Sequence, residues 1–315
     1  METIYYNNDT KILDECAATI GVFDGVHAGH RQLLGMMKID AKVAGLKTMA
    51  ITFDRNPRQL FEADYKPQLI TTQKEKESFF KYSLGIDYLV VLPFTMEMAK
   101  LSARDFMQTV LKDKLNVKVL RLGYDNRFGC GRTEGFDDYE RYGREMGMEV
   151  LKCAPLQLEG YSEPVSSSLI RRLIAEDGNV KAASRLLGRP FELWGTVRQG
   201  EHIGSTLGFP TANLEPDDPD KLIPAPGVYA VDAIMGYGFV RPAMMNIGTR
   251  PTFGGQKQTL EVNIFDFDGD LYGHEIIVLF RDRLRDERRF DSPEELKAQL
   301  EEDKKRTLEI LKEKI

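Results

Sequence analysis

The chain has 315 residues, 42% of them apolar and 29% charged, with a formal net charge of −6. That length favours two domains, and that composition suits a globular protein rather than a disordered or fibrous one. The acidic balance argues against a broad, sequence-independent nucleic-acid binder, which needs a basic surface, yet leaves room for a small anion held by local donors. The three cysteines, Cys16, Cys130 and Cys153, fit no zinc spacing and read as free thiols in a reducing compartment. No apolar run approaches the ~18 residues of a membrane span, and the opening METIYYNNDTKILDE has no signal-peptide core. A cytoplasmic protein with no membrane or nucleic-acid partner is expected, with its oligomeric state left open.

In chain order, the β-rich run ATIGVFDG precedes GHRQLLGMMKIDAKVAG, in which His30, Leu33, Leu34, Met37, Ala41 and Ala44 share one helical face. TMAITF reads as strand, QKEKESFFKYSLG as helix with a glycine stop, and DYLVVLPF as strand. SARDFMQTVLKDKL is a helix opened by Ser102 with Asp105 three residues on; VKVLRLGY is strand, DDYERYGREMG helix, MEVLKCAPL strand. This rhythm predicts a parallel sheet covered by helices on both faces, with ligands beyond the strand C-termini. Two short helices, SSSLIRRLIAEDG and NVKAASRLLGRP, end the pattern.

Five strand-like runs come next without helices between them: FELWGTVRQG, GVYAVDAIMG, VRPAMMNIG, TLEVNIFDFDG and EIIVLFRDRL. They predict a small antiparallel barrel. A last helix begins at Ser292 and Pro293, with Leu296, Leu300, Asp303, Thr307 and Leu311 along one face. The predicted architecture is therefore α/β: a Rossmann-like domain over 1–186 and a small antiparallel β-barrel with a closing helix over 187–315.

Chemistry concentrates in GVFDGVHAGH, Gly21 to His30, which holds two of the four histidines. A strand runs into a glycine turn there and a helix begins near His30. A helix start presents free N–H groups and partial positive charge, and two imidazoles add donors aimed at the same anion. That suits a phosphorus centre under attack. A structural or metal-binding pair is the competing reading, and a metal would need a further ligand, for which Asp24 is the only local candidate.

GVFDGVHAGH resembles the His-x-Gly-His signature of nucleotidyltransferases. In this long form it is similar to the adenylyltransferase half of the prokaryotic bifunctional riboflavin kinase/FAD synthetases. TFDRNP (Thr52 to Pro57), GYDNRFGCGRTEG (Gly123 to Gly135) and VSSSLIRRLI (Val165 to Ile174) resemble further segments of that half. GTVRQGEHIGSTLGFPTANL (Gly195 to Leu214) and LEVNIFDFDGDLYG (Leu260 to Gly273) resemble the kinase half. Asn126 stands where the family often has an aromatic residue, Ser168 replaces a threonine, and Ser205 stands where arginine is usual.

The resemblance implies a chain that phosphorylates riboflavin with ATP to FMN, then adenylylates FMN to FAD with loss of pyrophosphate. In the first half it implies His27 and His30 as catalytic donors. Gly21, Phe23, Gly29, Asp125, Ser167, Ser168 and Arg171 would hold ATP and its phosphates. Arg171 falls on the same helical face as Ser168, three residues on; an ordinary serine cap beside a solvated arginine is the plainer alternative.

In the kinase half it implies a glycine-rich loop of Gly200, Gly204 and Gly208, followed by Pro210, Thr211 and Asn213, around ATP and flavin. Thr211 and Asn213, two apart in an extended segment, offer hard oxygen ligands for Mg²⁺. Glu261 matches the catalytic glutamate. It alternates away from Leu260, Val262 and Ile264, so on pattern alone it also reads as a solvent-face glutamate. Three other readings remain: another nucleotidyltransferase fused to a β module, a flavin-binding or regulatory protein without turnover, and nucleic-acid binding by the barrel, which the acidic balance disfavours.

Overall fold

The computed structural model describes residues 1–62, 64–199, 209–252 and 255–312. The chain divides into two compact units: 1–67 with 71–166, and 68–70 with 167–315.

The first unit runs β1 (Glu2–Tyr5), β2 (Cys16–Ile20), α1 (Ala28–Ala44), β3 (Lys47–Phe53), α2 (Arg58–Phe61), α3 (Gln73–Phe79), β4 (Tyr88–Leu92), α4 (Met96–Ala99), α5 (Ala103–Asp105), β5 (Val117–Leu122), α6 (Phe136–Met146) and β6 (Glu149–Lys152). Its six strands form one sheet in the order β1-β4-β3-β2-β5-β6, every neighbouring pair parallel. All five residues of β2 are buried, as expected of a central parallel strand covered on both faces. Its alternation divides two cores: Cys16, Ala18 and Ile20 pack with Met107 and Tyr139, while Ala17 packs with Leu34 and Met37 of α1.

The chain moves from β2 to β3 on one side, and β5 later takes the other side. The C-terminal end of β2 is thus the switch point of the sheet, where such folds bind ligands. GVFDGVHAGH leaves the sheet at that end. The helices read at 73–85 and 102–115 each open as an α-helix and continue as a π-helical turn, Phe80–Leu84 and Phe106–Lys112. Ser102 caps α5, accepting from the Asp105 N–H at 3.0 Å.

The second unit contains α7 (Ser167–Ala175), α8 (Val180–Leu187), β7 (Phe191–Arg198), β8 (Ala212–Pro216), β9 (Gly227–Met235), β10 (Phe239–Thr252), β11 (Gly255–Ile264), β12 (Glu275–Arg285) and α9 (Pro293–Lys312). The strands close into an antiparallel barrel in the order β10-β11-β8-β7-β12-β9. Phe191, Leu193, Val231, Val262, Val278 and Phe280 are buried along it. The sequence boundary at 186/187 falls at the end of α8. The compact units part earlier, at 166/167, because α7 packs on α8 and α8 packs on β7 and β12.

Helix α9 starts where its cap predicts: the Glu295 N–H donates to Ser292 Oγ at 3.1 Å. Two polar members of its predicted face are its buried residues, Asp303 and Thr307. Asp303 accepts from Arg285 of β12 at 2.8 and 2.9 Å and from Gln299 at 2.8 Å, so the carboxylate enters the interior already paired.

Candidate active sites

At the end of β2, the Gly21 N–H donates to Ile51 O at 3.0 Å, prolonging the sheet by one bond. The chain then turns through three residues of positive φ, Phe23 (51°), Gly25 (85°) and Val26 (38°). Two of these are not glycine, so the turn is held against local strain. Its fastenings are polar. The Gly25 N–H donates to Thr71 Oγ1 at 2.9 Å, and Asp24 Oδ1 accepts from the Thr71 N–H at 3.0 Å.

His27 is the N-cap of α1: its Nδ1 accepts from the His30 N–H at 3.3 Å. An accepting Nδ1 leaves the ring proton on Nε2, so this cap requires a neutral imidazole. The His27 and His30 rings stack with centroids 3.6 Å apart and 15° between planes. Phe23 is buried and meets His30 edge-on at 5.2 Å, with Phe80 behind it at 5.7 Å. The Phe23 side chain therefore seats His30 from the interior.

Burial, chiefly, and then electrostatic coupling to His27 and Lys76 hold the His30 imidazole well below its ordinary range. Its Nδ1 is enclosed without a hydrogen-bond partner, which favours the Nε2–H form there too. The result is two neutral rings at a helix start, at the sheet's switch point. Such an arrangement can donate to an anion without bringing a charge of its own.

Asp125 is exposed on the turn after β5. Its neighbour Asn126 donates from Nδ2 to Ile20 O at 2.5 Å, tying that turn to the last residue of β2. The residue that departs from the family pattern therefore has a backbone-holding part. Beyond the ends of β3 and β4, Phe53, Phe94 and the exposed Phe61 meet edge to face, at 5.4 and 6.4 Å. Ser167 and Ser168 open α7, with Arg171 one turn on, and the Arg171 Nε–H donates to Gln68 O at 2.8 Å.

In the barrel, Glu261 of β11 stands opposite Asn213 of β8 on one side and Asn246 of β10 on the other. Directly opposed residues in an antiparallel pair point to the same face, so the three form one row. Asn263, two residues from Glu261, donates to Pro210 O at 2.7 Å and fixes the approach to Thr211 and β8. Thr211 and Asn213 are both half-buried. Gly200, Gly204 and Gly208 lie outside the described residues, as do His202 and Ser205. Among the described residues no cluster of three or more His, Cys, Asp or Glu could form an all-protein metal cage.

Sequence reasoning misses Lys76 and Asn246. Lys76 stands in a charged run that looks like a solvated helix face, and only its burial distinguishes it. Asn246 carries a signal only once β10 is paired with β11.

Residues 9–169 match the FAD synthetase family and residues 187–311 the riboflavin kinase family. The chain belongs to the bifunctional riboflavin kinase/FMN adenylyltransferase family. The protein of that name from Escherichia coli K12 is 39% identical over 91% of this chain and 90% of its own length. The one from Pseudomonas fluorescens is 36% identical over the same shares. A solved structure titled a macrolide-efflux protein from Streptococcus pneumoniae superposes with a TM-score of 0.89 at 35% identity, covering 97% of this chain and 98% of that one. Among the described residues of this chain, no helix is long and apolar enough to cross a membrane.

Proposed function

We propose that the two activities of this family are served by two separate sites on the chain, one in each half, divided functionally at 186/187. The chain phosphorylates riboflavin with ATP to give FMN, and adenylylates FMN with ATP to give FAD and pyrophosphate.

For adenylyl transfer, a phosphate oxygen of FMN attacks the α-phosphorus of ATP. That nucleophile is already anionic, so no general base is needed, and the demand is for positioned donors. His27 and His30 meet it as neutral Nε2–H donors to the α-phosphate and the departing pyrophosphate. The partial positive charge at the start of α1 adds to them. Asp125 is assigned to the nucleoside, and Ser167, Ser168 and Arg171 to the β- and γ-phosphates. The aromatic group of Phe53, Phe61 and Phe94, of which Phe61 is exposed, suits the flat face of a flavin.

For phosphorylation, the terminal ribityl hydroxyl is a weak nucleophile and profits from a base within reach. Glu261 fills that part, oriented between Asn213 and Asn246. The donor set beside it, the Thr211 hydroxyl and Asn213 amide oxygen, fits Mg²⁺, which keeps few protein ligands and takes the rest from phosphates and water. When bound, Mg²⁺ supplies charge neutralisation at the phosphates of ATP. The glycine loop 200–208 is assigned to those phosphates. The three cysteines are free, in keeping with work in the cytoplasm, and the net charge of −6 is in keeping with small-molecule substrates and no nucleic acid.

The observation that carries this division is the stacked His27–His30 pair at the switch point of the first sheet. Its test is one incubation of the full chain with riboflavin, ATP and Mg²⁺, with flavins separated over time. FMN appearing first and FAD second is expected. FMN without FAD removes the first site, and no product at all reduces the chain to a flavin or nucleotide binder.

A further inference from the structure

Beneath the Gly21–His30 turn lies a cation that the reaction as assigned does not use. Lys76 of α3 is buried, and its ammonium donates to Thr52 Oγ1 at 3.3 Å. The Thr52 hydroxyl in turn donates to Val22 O at 3.2 Å, inside the turn. From the other direction the segment leading into α3 grips the same turn: Thr71 bonds Asp24 and Gly25. Thr72 then caps α3 in a reciprocal box with Glu75, the Thr72 N–H donating to Glu75 Oε2 at 2.9 Å. Thr71, and Lys76 through Thr52, thus reach the histidine turn from one short segment whose helix start Thr72 and Glu75 cap.

The geometry points to Lys76 as a positioning residue of the adenylyl-transfer site: it fastens the Val22–His30 turn through Thr52 and places a fixed positive charge beneath that turn. Burial pushes its ammonium down to about 8, with Asp24 pulling the other way. Lys76 therefore remains cationic at neutral pH, where its charge works against a proton on His30. A methionine would fill the same space at no desolvation cost. Keeping an ammonium there is costly to the fold, and the return we assign to it is an imidazole held neutral and in place as a donor.

This inference rests on the assignment of FAD formation to His27 and His30, and the test separates the two. Lys76→Met is made in the full chain. FAD formation from FMN, ATP and Mg²⁺ is measured beside FMN formation from riboflavin, and the four histidines are followed by NMR across pH. Expected are a fall in kcat for FAD of about tenfold or more with KM for ATP changed by less than about threefold, and kinase activity within about twofold. The His30 titration is expected to move up by about half a pH unit or more.

FAD formation within about twofold of wild type overturns the inference, as does a loss of FAD formation with the His30 titration unmoved. If Lys76→Met loses kinase activity and its folded spectrum together, Thr52→Val, which removes only the hydroxyl between Lys76 and Val22, replaces it. That variant must then slow FAD formation by about threefold or more and shift His30, or the inference falls. If the wild type makes no FAD, the functional assignment fails on its own, and the His30 titration in Lys76→Met still decides the part given to the lysine.

Discussion

A β-carbon placed on Gly29 would stand 3.2 Å from two atoms of the His27 ring. The glycine between the two histidines is thus the space into which the first of them folds. Gly29→Ala requires the His27 ring to give by a few tenths of an ångström, which shifts both its stack with His30 and its cap of α1. FAD formation is expected to fall about tenfold, with FMN formation unchanged; both rates come from one chromatographic assay.

His30→Ala and Glu261→Ala should separate the two activities. His30→Ala is expected to abolish FAD formation and spare FMN formation, and Glu261→Ala to do the reverse when FMN is supplied directly. Equal loss of both activities in either variant would contradict the two-site assignment.

Asn246→Ala removes one flank of Glu261 without touching the other. Riboflavin phosphorylation should fall about tenfold, while FAD formation from added FMN stays at the wild-type rate. A kinase rate unchanged by the substitution would remove Asn246 from the site.

His30 also gives stability a pH dependence of known sign. Its folded value lies well below the 6.5 of a free imidazole. As pH falls through 6.5, the unfolded chain takes up a proton that the fold refuses. The first half should therefore lose about 1.4 kcal/mol per pH unit from this group until the folded value is reached. Urea unfolding of wild type and His30→Asn between pH 7.5 and 5 checks this, the difference between them shrinking toward acid.

Asp303→Ala leaves Arg285 facing α9 without its carboxylate. Removing one partner of a buried pair costs about 3 kcal/mol or more, so the kinase half should unfold at markedly lower urea while the adenylyltransferase half holds. A single unshifted transition would show that α9 is held by its apolar contacts alone.

Much of this is legible in the sequence because the relevant signals are local. The β2–turn–α1 motif, the caps at Ser102 and Ser292, and the face of α9 carrying Asp303 and Thr307 can be read within a dozen residues. The features that escape depend on distant pairing. β1 is four residues of polar-flanked chain that become a strand only by bonding to β4, with Glu2 beside Tyr88. β8 reads as a continuation of the glycine loop, although it carries Asn213 to Glu261. Lys76 cannot be distinguished from its solvated neighbours in QKEKES, since burial of a lysine leaves no mark on local composition.

The two halves also differ in what they expose to other chains. Among the described residues each barrel strand has a partner on both sides, although β8 meets β11 over only two residue pairs, Asn213 with Glu261 and Ala212 with Val262. The first sheet does end in open edges, but β1 and β6 are each only four residues long. A stray strand could form few bonds there, and the wholly buried β2 lies at the centre, out of reach. An enzyme of this build should resist edge-to-edge aggregation while folded and be most vulnerable when β2 is uncovered.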